Sequence, residues 1–366
     1  MVKLNSVDYD IGYPIYGAKF LNDKTLLVTG GGGEGNQEIS NRLTALTINL
    51  TKKKKPIKKF RELKLNDEND APSVLDSNNS IILLGCNEGQ TSIANGHNHN
   101  LQKFIYINDH LKYITSTSLE SEISKSIYQK FITISKDGSI AAIASSKIPT
   151  IIHILDPVNL FEKYEIETNN DVKDLDISPD GKNLTYITKT NTIEIISIIT
   201  GRSLLRRVDF NENINLNKVR FIDNNHVVLG VSSKNGDGVS LIKLSLSSKL
   251  KTVKEVQVSK KIKSITSIDV NLQNGVLAIS GNENSIILFK LQSLKKIKVF
   301  NNVHSLSITK LTFSPNGSFL ASVSVANTVN IIEIPNGLGL ETHHIYNFFK
   351  RSFQLLIVAI VLQLGY

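Results

Sequence analysis

Seven polar turn pairs, each set between two β-prone runs, constrain this chain more than any other feature. They are Asn22-Asp23, Asn78-Asn79, Asp137-Gly138, Asp180-Gly181, Asn224-Asn225, Asn274-Gly275 and Asn316-Gly317. Asn, Asp and Gly tolerate the backbone of tight turns, so each pair reads as the tip of a hairpin. The last five lie 42 to 50 residues apart, close to the ~40–45 of a four-stranded propeller blade. The first two spacings are longer, and their excess falls in a Gly-rich, a Lys-rich and an Asn-rich stretch. A third run follows in each unit, such as Ile151-Ile152-His153-Ile154 or Ile286-Ile287-Leu288-Phe289. A more polar fourth follows in most, as in residues 161–167 and 253–258. Such a blade cannot bury its own faces, so seven must stack into a ring. The expected fold is all-β, a seven-bladed β-propeller over residues 1–337. The seventh unit shows no fourth run after Glu333-Ile334-Pro335, so the N-terminal run Val2–Tyr9 is expected to supply it and close the ring.

In the seventh unit His304 comes first, Leu311-Thr312-Phe313-Ser314-Pro315-Asn316-Gly317 follows, and Leu320-Ala321-Ser322 comes next. This pattern resembles a WD repeat. The usual aspartate position is Ala326, and the Trp-Asp pair reads Ile332-Glu333. The hydrogen-bond network typical of WD repeats is therefore not expected to form, and packing must hold these degenerate blades.

The net charge of +9 raises nucleic acid as a partner. The main basic cluster is Lys52-Lys53-Lys54-Lys55-Pro56 with Lys58 and Lys59. No aromatics interleave it, so it offers no stacking platform, and no nucleic-acid partner is expected. Solvated lysines that blunt a sheet edge are one reading, and anionic lipid headgroups are another. The C-terminal run Phe353–Tyr366 carries no charge and follows Lys350-Arg351. Residues 338–351 read as a basic juxtamembrane linker and 352–366 as a transmembrane segment, with a buried core helix as the alternative. The run would rise ~21 Å as a helix against a ~30 Å hydrocarbon core, which implies a span cut short at Tyr366. Positive-inside places the propeller in the cytoplasm. No secretory signal opens the chain.

Covalent catalysis finds no support: G-x-S-x-G, H-E-x-x-H and Cys/His pairings are all missing from the sequence. Cys86 lies in a buried-strand pattern and reads as a core thiol. His97-Asn98-His99 lacks a third ligand nearby, His343-His344 reads as solvated linker, and His153 reads as a satisfied core residue.

The remaining feature is Gly30-Gly31-Gly32-Gly33-Glu34-Gly35-Asn36, running on to Asn41 between two strand patterns. Gly30, Gly32 and Gly35 fit G-x-G-x-x-G, but a strand rather than a helix follows, which argues against a dinucleotide loop. A phosphate loop would need a Gly-Lys-Ser or Gly-Lys-Thr. A plain hairpin tip and a projecting, ion-ordered loop that touches a partner both remain open.

Gly12-Tyr13-Pro14-Ile15-Tyr16-Gly17-Ala18-Lys19-Phe20, the four-glycine loop with Asn36 and Asn41, and Leu84-Gly85-Cys86-Asn87-Glu88 closely resemble a fungal family. That family is the ER-membrane guanine-nucleotide exchange factor that activates the Sar-type small GTPase and starts COPII coat assembly. The likeness covers nearly the whole chain. It implies a single-pass ER membrane protein with a cytoplasmic propeller, and no small-molecule substrate. It implies a loop that holds a potassium ion through Gly32, Asn36 and Ile39. It also implies contact with the GTPase through Gly35, Asn36, Ile39 and Asn41, with Asn41 as the catalytic amide. A non-catalytic ER-anchored propeller that binds the GTPase or coat subunits is the alternative.

Overall fold

The computed structural model describes residues 4–341, apart from 37, 79, 121 and 248. Twenty-eight strands there form seven four-stranded antiparallel sheets. After β1 (Ser6–Asp10), the first blade is β2 (Ile15–Asn22), β3 (Thr25–Gly30), β4 (Arg42–Ile48) and β5 (Ile57–Lys64). The second is β6 (Val74–Asn78), β7 (Ile81–Gly85), β8 (Leu101–Ile107) and β9 (His110–Thr117), with a short helix α1 (Gln90–Ala94) between β7 and β8. Blades three to six each use four consecutive strands, starting with Gln129–Ile134, Val172–Ile177, Ile214–Asp223 and Ile265–Asn271. The polar pairs lie where the first strand of each blade gives way to the second, with Asn22 and Asn78 as the last residues of their first strands, as their turn chemistry predicts.

The seventh blade is Ile308–Phe313, Phe319–Ser324, Thr328–Glu333 and then β1. β1 runs antiparallel to Thr328–Glu333 in the register Ser6↔Ile332 to Asp10↔Thr328. The strand begins later than the expected Val2–Tyr9; residues 1–3 lie outside those described. First strands of successive blades pack side by side, and Ile308–Phe313 returns against β2, closing the circle.

Burial explains the strand compositions. The second strands Thr25–Gly30 and Val276–Gly281 are buried at every position, which suits their runs of Leu, Ile and Val. Fourth strands such as β5 are mostly half-buried or exposed and carry the charge. Seven apolar clusters each bridge two neighbouring blades; Leu27, Leu43 and Ala45 of the first blade meet Leu75, Ile82 and Leu84 of the second. Each blade thus buries its faces against its neighbours.

The channel edge of each first strand would leave N–H groups unpaired. Side chains of the preceding blade accept from them. Asp76 takes the Ile134 N–H at 2.8 Å, Asp174 that of Val219 at 2.9 Å, Asp176 that of Phe221 at 2.8 Å and Asp269 that of Phe313 at 2.7 Å. Cations balance these carboxylates: Lys19 lies 2.8 Å from Asp76 and Arg220 lies 2.7 Å from Asp174. Burial pushes Asp176 up to about 6 and Lys310 down to about 8.

The WD network is not wholly lost, contrary to expectation. Buried His304 bonds Ser322 Oγ through Nε2 at 2.7 Å and Thr328 Oγ1 through Nδ1 at 2.6 Å. Burial holds its pKa down to about 4, so the ring is neutral. Two hydroxyls suffice to satisfy an imidazole whose aspartate and tryptophan partners are missing.

The segment after Glu333 stays on the ring: Gly337 N–H and Gly339 N–H both bond Asn274. Residues 338–340, expected as linker, therefore still pack on the sixth blade. Among the described residues no helix is long and apolar enough to cross a membrane. The expected transmembrane segment 352–366 lies outside the described residues.

Candidate functional site: the glycine-rich loop

Residues 31–41 connect the second and third strands of the first blade. The backbone explains the glycines. Gly31 has φ of 149°, and a Cβ there would lie 2.4 Å from Asn41 Oδ1; Gly33 has φ of 81°. Ordinary side chains adopt neither conformation without strain.

The loop is built on itself and on its neighbours. Gly32 N–H donates to the Ile39 carbonyl at 3.0 Å, and Asn36 N–H to that of Gly33 at 3.2 Å. The Asn36 side-chain oxygen accepts from Glu38 N–H at 3.2 Å and Ile39 N–H at 3.1 Å. Gly32, Asn36 and Ile39, named from sequence as ion ligands, are thus brought together. Gly32 and Gly35 are exposed, and Asn36 and Ile39 are half-buried.

Asn41 is placed differently from the sequence expectation of a GTPase-contacting amide. It is 1% exposed and points inward. Its oxygen accepts from Gly33 N–H at 3.1 Å, and its amide nitrogen donates to the carbonyls of Asn69 at 3.0 Å and Asp70 at 3.1 Å. All its polar capacity serves to hold the loop against the connection between β5 and β6. A direct contact with a partner would require these bonds to break. The physical reason is the polar run Asn66–Asp70, which folds beneath the loop and offers carbonyls to the amide.

A second clamp was not legible in the sequence. Glu34 accepts from Gln90 N–H at 2.7 Å and pairs with Lys125 at 2.5 Å. The Lys125 ammonium, then the Gln90 N–H, hold the Glu34 carboxyl below the ordinary carboxylate range. Glu34 and Lys125 lie 91 residues apart in the chain, so no local pattern marks them as partners. Their loops meet only because adjacent blades bring them to one face. An unsupported hairpin tip is therefore not what the chain forms.

The remaining candidates are structural. Burial pushes the Cys86 thiol up to about 12, and its sulfur lies 3.2 Å from the Asp70 carbonyl. His99 pairs with Glu88 at 3.0 Å and stacks on His97. Among the described residues, the one group of at least three His, Cys, Asp or Glu residues placed to share a metal is His153, Glu162 and Glu165. His153 Nδ1 lies 2.6 Å from Glu162 and its Nε2 lies 3.4 Å from Glu120. Burial disfavours the charged ring, but Glu120 and Glu162 outweigh that and raise its pKa. These side chains satisfy one another, His153 and Glu162 from the third blade and Glu120 from the connection that precedes it.

A seven-bladed ring of four-stranded antiparallel blades, with a clamped loop on one face, is a degenerate WD-type β-propeller. Residues 271–349 match the family model described as "Anaphase-promoting complex subunit 4 WD40 domain". A Saccharomyces cerevisiae protein named "Putative guanine nucleotide-exchange factor SED4" is 42% identical over 99% of this chain and 34% of its own length. Its Candida glabrata namesake is 44% identical over 91% of this chain and 32% of its own length. The Candida glabrata "Guanine nucleotide-exchange factor SEC12" is 41% identical over 92% of this chain and 73% of its own length. The chain belongs to the SEC12 guanine nucleotide-exchange factor family. It spans about a third of the length of the SED4 relatives.

Proposed function

We propose that this chain is a guanine-nucleotide exchange factor for a Sar-type small GTPase at the ER membrane, where GTP loading initiates COPII coat assembly. The observation that carries this reading is the loop of residues 31–41, clamped at both Asn41 and Glu34 in a chain of that family. Gly35, Asn36 and Ile39 form its accessible edge and meet the GTPase. Asn41 lies beneath them as a positioning residue. No bond is broken in exchange. A surface that prefers the nucleotide-free GTPase weakens GDP binding by the same factor, and a preorganised loop loses little entropy on docking.

Gly32, Asn36 and Ile39 would hold potassium. A potassium ion would supply a charge around which carbonyl oxygens gather, stiffening the backbone. The donor chemistry fits such an ion: these residues offer neutral oxygens, and the nearby carboxylate of Glu34 is already paired with Lys125. The Asn36 oxygen would have to serve the ion as well as the N–H groups of Glu38 and Ile39.

Release of a fluorescent GDP analogue from a Sar-type GTPase tests both readings. The chain is expected to speed release at least about tenfold, equivalent to ~1.4 kcal/mol in the barrier. Replacing potassium by lithium lowers that rate without changing the melting temperature. The inward-facing Asn41 amide favours one alternative, a non-catalytic scaffold. Capture of the GTPase with no faster release would select it.

A further inference from the structure

The chain leaves the ring on the face opposite the glycine-rich loop. In the first six blades the first–second and third–fourth turns share one end of the strands and the second–third loop lies at the other, and in the seventh the third strand ends at the same end as its first–second turn. Thr328–Glu333 therefore ends on the first of these faces. From there a run of hydrogen bonds leads to the lysine cluster. Ile334 N–H bonds the Ser318 carbonyl, Asn316 N–H bonds Asp23, and Ile48 N–H bonds the Lys24 carbonyl, at 2.8 Å each. Ile48 opens the turn that carries Lys52, Lys53, Lys54 and Lys55.

That turn holds its shape without its lysine side chains. Asn49 N–H bonds the Pro56 carbonyl at 2.8 Å, and the Asn49 side chain accepts from Thr51 N–H and hydroxyl. Lys52, Lys53, Lys54, Lys55 and Lys58 are exposed and form no ion pair among the described residues. Lys55, Lys58 and Lys59 line a groove of about 560 Å³ beside Tyr9 of β1. The same face carries the two most exposed large apolar side chains described, Ile199 at 77% and Phe161 at 68%. Eleven residues separate Glu341, on this face, from the charge-free run that starts at Phe353. Even fully extended, that interval reaches roughly 40 Å.

We propose that this face rests on a surface of anionic lipid headgroups through Lys52–Lys55 and Lys58, turning the glycine-rich loop away from the membrane. Unpaired lysines with apolar side chains on one face suit headgroups and the acyl boundary beneath them better than they suit a nucleic acid, which would want stacking partners. The inference deepens the membrane part of the proposed function and needs no exchange activity.

The test is co-sedimentation of the full chain with phosphatidylcholine vesicles, with and without about 30 mol % phosphatidylserine. Each lysine near an anionic surface contributes a factor of about five. Binding is expected to tighten at least about tenfold with phosphatidylserine and to weaken with added salt. Combined Lys52→Gln, Lys53→Gln, Lys54→Gln and Lys55→Gln should remove that gain while melting stays unchanged. The control variant Lys260→Gln, Lys261→Gln, Lys263→Gln lies on the loop face and should keep it. Equal binding to both vesicles, an undiminished gain in the quadruple variant, or an equal loss in the control would overturn the proposal. So would tighter binding to single-stranded RNA than to the anionic vesicles. GDP release is not read, so failure here leaves the exchange reading standing.

Discussion

A chain lacking residues 1–10 melts at least about 10 °C below the parent and aggregates on heating. The seventh blade then loses β1 and its five cross-strand pairs with Thr328–Glu333. Asn330 loses both side-chain acceptors, Ser6 Oγ and Asp8 Oδ1, each at 2.7 Å. Val7 and Tyr9 no longer cover the cluster of Phe20, Val28, Val329 and Ile331 between the first and seventh blades, and Leu4 leaves the cluster of Leu311, Leu320 and Ile332 between the sixth and seventh. Three partly buried apolar side chains at ~1 kcal/mol each, with several ladder hydrogen bonds, sum to roughly 5 kcal/mol. That is comparable with the whole stability of an ordinary domain. The loss also falls where the ring's two ends join. It bares Thr328–Glu333 as an edge strand with Val329, Ile331 and Ile332 in sequence, a template for intermolecular pairing. Differential scanning calorimetry and light scattering read both effects. Unchanged melting would mean that β1 does not hold the ring closed.

The ring was legible because its signals are local. A polar turn pair between two apolar runs needs no distant residue to act, and seven of them fix the blade count. Asp176 and Asp269 stood in those runs as isolated carboxylates. Their use, stitching one first strand to the next, depends on a neighbour about 45 residues away, at Phe221 and Phe313. His304 misled for a related reason. Absence of the WD aspartate and tryptophan suggested no network, yet an imidazole needs only two partners, and Ser322 and Thr328 serve. The loop divides in the same way. Its glycines marked an unusual backbone, and Gly32, Asn36 and Ile39 do gather through short-range hydrogen bonds. The direction of Asn41 is set by Asn66–Asp70, whose fold beneath the loop follows from how the first two blades meet. Glu34 and Lys125 pair through that same meeting.

The inward amide makes Asn41→Ala the sharpest test of how the loop works. The substitution leaves the buried Gly33 N–H without its acceptor and the Asn69 and Asp70 carbonyls without a donor. A buried polar group stripped of its partner costs ~1–3 kcal/mol, so local destabilisation of about 3 kcal/mol is expected. Global melting should move little, because the seven inter-blade clusters remain. The cost falls on local opening: amide hydrogen exchange at Gly31–Gly33 should accelerate about a hundredfold, the equivalent of ~2.7 kcal/mol. Stimulated GDP release should fall in parallel. Asn41→Asp keeps the shape but replaces the donating NH2 by an oxygen facing two carbonyls, so it should loosen the loop at least as much. Hydrogen exchange and GDP release together separate the two roles. Lost stimulation with unchanged loop protection would make Asn41 a direct contact, exposed only in the complex. Lost protection with intact stimulation would mean that the loop need not be held for exchange. Parallel loss is what a positioning amide predicts, because the accessible Asn36 and Ile39 can meet a partner in one geometry only while Asn41 holds the loop from below.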